Sequence, residues 1–140
     1  MINIENLVIT KISAALESAF SDKFLPSGNG IITSEKILAT ESFPCVSITE
    51  ESNTVYRRSQ DSSGTENHAN VMYEIEVFSD KSSGGKIECK TIFKVIDDEM
   101  GKMNFTRIML QPITNASPTL TRFLGRYTGV VDTTGRIYRK

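Results

Sequence analysis

From the amino terminus, apolar side chains recur at Ile4, Leu7, Val8, Ile12, Ala15, Leu16, Ala19 and Phe20, with Glu5, Lys11 and Glu17 among the polar positions. A period of three to four residues gathers the apolar set on one side, so the spacing predicts an amphipathic helix of about 16 residues. Pro26, Gly28, Asn29 and Gly30 then end the helix and turn the chain. Residues 31–41 leave two readings open, short extended pieces or packed loop. Phe43–Glu50 suits a strand with Pro44 at its start, and Thr54–Arg58 is a second short extended piece. Ser59–Asn70 holds Ala69 as its only hydrophobic residue, too little to fold onto a core. Residues 59–70 are therefore expected to form the exposed, flexible tip of a long hairpin. Val71–Ser79 alternates, with Val71, Tyr73, Ile75 and Val77 on one face and Met72, Glu74, Glu76 and Phe78 on the other. This period of two is the clearest strand signal in the chain.

Beyond it, Ser82 or Ser83 can cap a second helix that runs to about Met100. Ile87, Ile92, Val95, Ile96, Met100 and Met103 are its predicted apolar stripe, and Lys86, Lys90 and Lys94 form a solvated row on the other side. Phe105–Leu110 reads as a strand closing at Gln111-Pro112. Leu120–Val131 reads as a long strand that turns at Asp132-Thr133-Thr134-Gly135 into Arg136–Arg139. The fold class is α+β, with a mostly antiparallel sheet of about four to six strands and two helices packed on one face. The 140 residues form a single domain with one long polar hairpin loop.

Composition narrows the class further. With 39% hydrophobic and 24% charged residues, the chain suits a globular domain rather than a coiled coil, a collagen or a disordered chain. No apolar run approaches a membrane span, and the first residues do not read as a signal peptide. The net charge of −1 conceals an asymmetry. Residues 1–100 hold nine Lys/Arg against sixteen Asp/Glu, a net of −7; residues 101–140 hold seven against the lone Asp132, a net of +6. Three readings remain open: basic strands lying beside acidic strands of the same molecule, self-association of an acidic face with a basic one, or nucleic-acid contact. The acidic isoelectric point, near 5.9, weighs against the third.

Catalytic chemistry is hard to assemble from these residues. The single histidine, His68, falls in the polar hairpin tip, without the held geometry a general base needs. Cys45 and Cys89 stand apart in sequence, with no metal-ligand spacing. Ser82-Ser83-Gly84-Gly85-Lys86 evokes a phosphate loop, but Asp80 and Ile87 stand where that motif needs Gly and Ser or Thr. Asp97-Asp98-Glu99 point in different directions around a helix, which suits a solvated or interface patch better than a metal site. The expectation is a protein that is not an enzyme and carries no cofactor or metal.

The second half resembles the small tail-terminator, or tail completion, proteins of long-tailed bacteriophages and prophages of Gram-positive bacteria. The segments that carry the resemblance are Tyr73-Glu74-Ile75-Glu76-Val77-Phe78-Ser79-Asp80-Lys81, Gly85-Lys86, Val95-Ile96-Asp97-Asp98-Glu99-Met100, Phe105-Thr106-Arg107, Gln111-Pro112-Ile113-Thr114-Asn115, and Arg122 to Arg126-Tyr127-Thr128-Gly129-Val130. It covers about residues 71–140. Asn104 stands where the family pattern carries Gly, so the turn before Phe105 has to be made by a residue that tolerates a left-handed backbone.

The resemblance implies a structural subunit, located in the virion tail and assembled in the bacterial cytoplasm. Such subunits close into a ring of six that caps the tail tube and meets the head connector or stopper. DNA passes through the ring without sequence-specific binding, and no membrane is involved. A ring of identical subunits needs a heterologous interface, which the charge asymmetry could orient. Arg107, Arg122, Arg126 and Tyr127 are the expected contacts, with Asp97, Asp98, Glu99 and His68 on the acidic and hairpin sides. Reversing Arg122 and Arg126 to Glu is then expected to leave the monomer folded while impairing assembly. Another head–tail joining component, or a soluble module that binds peptide or nucleic acid, is the alternative.

Overall fold

The computed structural model describes residues 1–24, 28, 30–35, 43–55, 68–81, 83–113 and 120–138. The element order is helix α1 (Glu5–Ala19), strands β1 (Ile31–Thr33), β2 (Cys45–Val55) and β3 (His68–Ser79), helix α2 (Gly85–Lys102), then β4 (Thr106–Ile113), β5 (Thr121–Asp132) and β6 (Ile137–Tyr138). They build one α+β domain around a six-stranded sheet in the order β1-β2-β3-β5-β4, with β6 pairing the far end of β5. Every pairing is antiparallel except β1 with β2.

The alternation in β3 positions both helices. Tyr73 pairs with Tyr127, Ile75 with Ile48 and Gly125, and Val77 with Val46 and Phe123, so these side chains share one face of the sheet. Val8, Ile12 and Leu16 of α1 and Cys89, Ile92, Phe93, Ile96 and Met100 of α2 join them in one buried core. Burying each such aliphatic side chain stabilises the fold by roughly 1.5–3 kcal/mol. Phe105 meets Tyr73 edge-on, at 5.6 Å between ring centroids.

Several expectations change in detail. Of the ambiguous stretch, Ile31–Thr33 form a short strand, and Thr54-Val55 continue β2 rather than start a new one. Residues 36–42 and 56–58 lie outside the described residues. His68, Ala69 and Asn70 belong to β3, not to a hairpin tip, because they extend the ladder against Val55 and Thr54 on one side and Asp132 to Val130 on the other. The remainder of the predicted tip, residues 59–67, lies outside the described residues. Strand β4 runs through Gln111-Pro112 to Ile113, since proline at an outer strand costs the inner ladder nothing.

Helix α2 starts from a glycine at its cap position. Gly84 holds the cap position at φ +82 and no side chain bonds the first turn, so Ser83 does not cap it; Ser82 lies outside the described residues. Ile87 leaves the predicted apolar stripe and is 72% exposed. At 100° per residue it stands opposite Cys89, Ile96 and Met100, on the side of the lysine row. At the other end of α2, Asn104 takes φ +70 and donates Nδ2 to the carbonyl of Ile137 at 3.1 Å. The turn before Phe105 is thus left-handed, and asparagine fills it.

Candidate interaction surfaces

The residues predicted as contacts fall into two groups, on opposite faces of the sheet. On the helix face, Tyr127 is buried and donates its hydroxyl to Asp97 Oδ1 at 3.1 Å, and Arg107 Nη1 lies 3.3 Å from the same oxygen. Three predicted site residues from α2, β4 and β5 thus converge on one carboxylate oxygen. Burial, and then the negative charge of Asp97, push the Tyr127 hydroxyl far above its ordinary range, so it remains a donor. Asp98 is exposed at the next position, and Glu99 lies 3.9 Å from Lys102.

On the opposite face, Arg122 bonds Glu76 at 2.9 Å and Arg126 bonds Glu74 at 3.3 Å. The guanidinium of Arg122 also lies over the Phe78 ring, 5.4 Å from its centroid. Glu74 and Glu76 are buried, an unusual fate for carboxylates on a strand, and the arginines across the ladder compensate them. Three C-terminal cations therefore meet three carboxylates of the first hundred residues inside one molecule. Basic strands beside acidic strands account for this much of the charge asymmetry.

His68 stands opposite Asp132 at the start of β3, with its ring 5.8 Å from that of Tyr138. Asp132 itself is engaged in the turn: Oδ1 accepts from Thr134 N, Thr134 Oγ1 and Arg136 N, and Oδ2 from Tyr138 Oη. The Thr134 hydroxyl leads these donors in holding the Asp132 carboxyl down to about 2.

Glu88 went unnoticed in the sequence. Its side chain is buried, and it accepts from Ser79 Oγ at 2.8 Å, Lys23 Nζ at 2.8 Å and Lys81 Nζ at 3.0 Å. Burial pushes this carboxyl up, but the donors Lys23, Lys81 and Ser79 outweigh it and hold it below its ordinary value. The available signal was its place between Gly85 and Ile92 on the inward side of α2, where an acid needs partners. A cleft of 330 Å³ opens beside this node, between the end of α1 and the start of α2.

One edge of the sheet is formed by β4, for which no second strand neighbour exists among the described residues. Ile108 is the extra residue of a bulge between Arg107 and Met109 and is 51% exposed, and Leu110 is 37% exposed. The cysteines are buried and free, and burial together with Glu88 pushes the Cys89 thiol up to about 12. Among the described residues no three His, Cys, Asp or Glu side chains cluster as metal ligands, and no helix is long and apolar enough to cross a membrane. No protein-family model matches this sequence, and no curated protein matches it.

Proposed function

We propose that this chain is a structural subunit of a long-tailed bacteriophage: a tail terminator that closes with five copies of itself into a ring in the virion tail. The ring caps the tail tube and presents a surface to the head connector. The reading rests on the resemblance of residues 71–140, which β3, α2, β4 and β5 arrange as one continuous sheet-and-helix unit. The observation that carries it is the β4 edge, where Ile108 and Leu110 are exposed side by side with a bulge and Pro112.

That edge suits contact by side chains rather than strand addition. The bulge interrupts the outer row of backbone groups, and Pro112 offers no N–H. A neighbour in the ring would meet the edge with a different patch of its own surface, as a cyclic assembly requires. The test is solution mass by light scattering over a concentration series, with negative-stain images of the same samples. The expected result is a species near six times 15.6 kDa that images as a ring. Ile108→Glu with Leu110→Glu should return it to a folded monomer. If no ring forms, in concentrated solution or on the ends of purified tail tubes, the reading fails.

A further inference from the structure

The lysines of α2 and the cleft beside Glu88 make one continuous surface. Phe20, Ile87 and Ile92 give the cleft its apolar wall, and Lys23 and Lys81 stand at its rim. Both ammonium groups are held in place by Glu88, whose own side chain is only 5% exposed against 30% for Lys23 and 53% for Lys81. The node therefore presents positive charge outward and keeps its negative charge inside. On the other side of Ile87 run Lys86, Lys90 and Lys94, all exposed and none in an ion pair among the described residues. Like charges at this spacing destabilise a helix slightly, so the row is not there for the stability of α2. Ile87 sits between the row and the cleft, exposed where a helix surface would ordinarily be polar.

We infer that this cleft is a docking site for an acidic segment of a partner protein, in which one aliphatic side chain seats against Phe20 and Ile87 while flanking carboxylates meet the lysines. Charge complementarity decides the occupant. Lys23 and Lys81 rim an apolar cleft whose lining carboxylate, Glu88, they already neutralise, and Lys86, Lys90 and Lys94 lie beyond Ile87, which fits an apolar residue with acids on either side. A phosphate backbone would use the lysines but has nothing to place against Ile87 and Phe20. The inference does not rest on the ring reading, because its residues lie on α2 and in the segments that follow α1 and β3, and none is on β4.

Selection of random peptides on the immobilised full chain, with duplex DNA as a second probe, tests it. The expected outcome is a consensus of one aliphatic residue flanked by Asp or Glu. A labelled consensus peptide should bind about tenfold more weakly to Ile87→Asp and to Lys86→Glu with Lys90→Glu, while both variants melt like the wild type. Ile87→Ala, which removes the anchor without adding charge, should weaken the peptide in the same direction. Absence of such a consensus overturns the inference. Equal peptide affinity for Ile87→Ala and wild type overturns it too, as does DNA binding that needs the lysines and is indifferent to Ile87.

Discussion

At Glu88 a single carboxylate ties three elements together: Lys23 beyond α1, Ser79 and Lys81 at the end of β3, and its own helix. Because its folded value lies below the ordinary one of 4.5, its stabilisation is complete above that value and is lost as the pH falls through the lowered one. Glu88→Gln removes the charge and should cost roughly 1.5–3 kcal/mol at neutral pH, the range for hydrogen bonds to charged groups. It should also flatten the acid limb of a urea-midpoint profile below pH 4.5, while the contribution of Asp132, held at about 2, would remain. An unchanged acid limb in the variant would show that Glu88 is not the group responsible. The same scale revises the reversal of Arg122 and Arg126. Each would place a second carboxylate against buried Glu76 or Glu74, and stranding a buried charge costs about 3–5 kcal/mol, less here because both guanidiniums are partly exposed. Against a total stability of about 5–15 kcal/mol, the double variant should be unfolded or nearly so by circular dichroism, rather than a folded, non-assembling monomer. Conservative Arg122→Lys with Arg126→Lys keeps the charges and should fold.

Among the elements, those with long patterns were legible and those set by a partner were not. The period of α1 and the alternation of β3 each report one buried face, so α1 stood in the sequence at nearly its observed bounds and β3 from Val71 to its observed end, three residues short at its start. The alternation of β3 put Met72, Glu74, Glu76 and Phe78 on its second face without showing that both glutamates are buried there, because Arg122 and Arg126 arrive from about fifty residues away. Ile87 failed for the opposite reason, since hydrophobicity alone suggested burial and the helical angle forbade it. Of the candidate site, the arginines, Tyr127 and Asp97 were legible as functional residue types, but which pairs they form required the register of β5. How α2 meets the sheet was also hidden. A Cβ on Gly125 would lie 2.8 Å from Phe93 Cε1, so the glycine makes the space into which that ring packs. Gly125→Val should therefore cost about 1–3 kcal/mol by overpacking, measured by urea denaturation. Phe93→Leu in that background should restore part of the loss, and a strictly additive double variant would refute the contact.

For the molecule as a whole, the charge asymmetry changes meaning once the chain is folded. Arg107, Arg122 and Arg126 are each paired with an acid of the first hundred residues, so three of the seven cations in the basic stretch are engaged within the molecule. The cations left outside ion pairs among the described residues include the row Lys86, Lys90 and Lys94, which stands within the net-acidic first hundred residues. An assembly formed through Ile108 and Leu110 would then be held by apolar contact, and salt should act on it accordingly. At about 1 M salt the screening length falls to roughly 3 Å, which removes attraction between exposed charges but leaves the burial of apolar area in place. The ring's mass at fixed protein concentration should thus hold between low and high sodium chloride, and ammonium sulfate should strengthen it. The peptide affinity of the α2 cleft should instead fall steeply over the same range, because its lysines are exposed. Dissociation of the ring by sodium chloride, with the fold intact, would place charged residues back at the subunit contact and remove β4 from it.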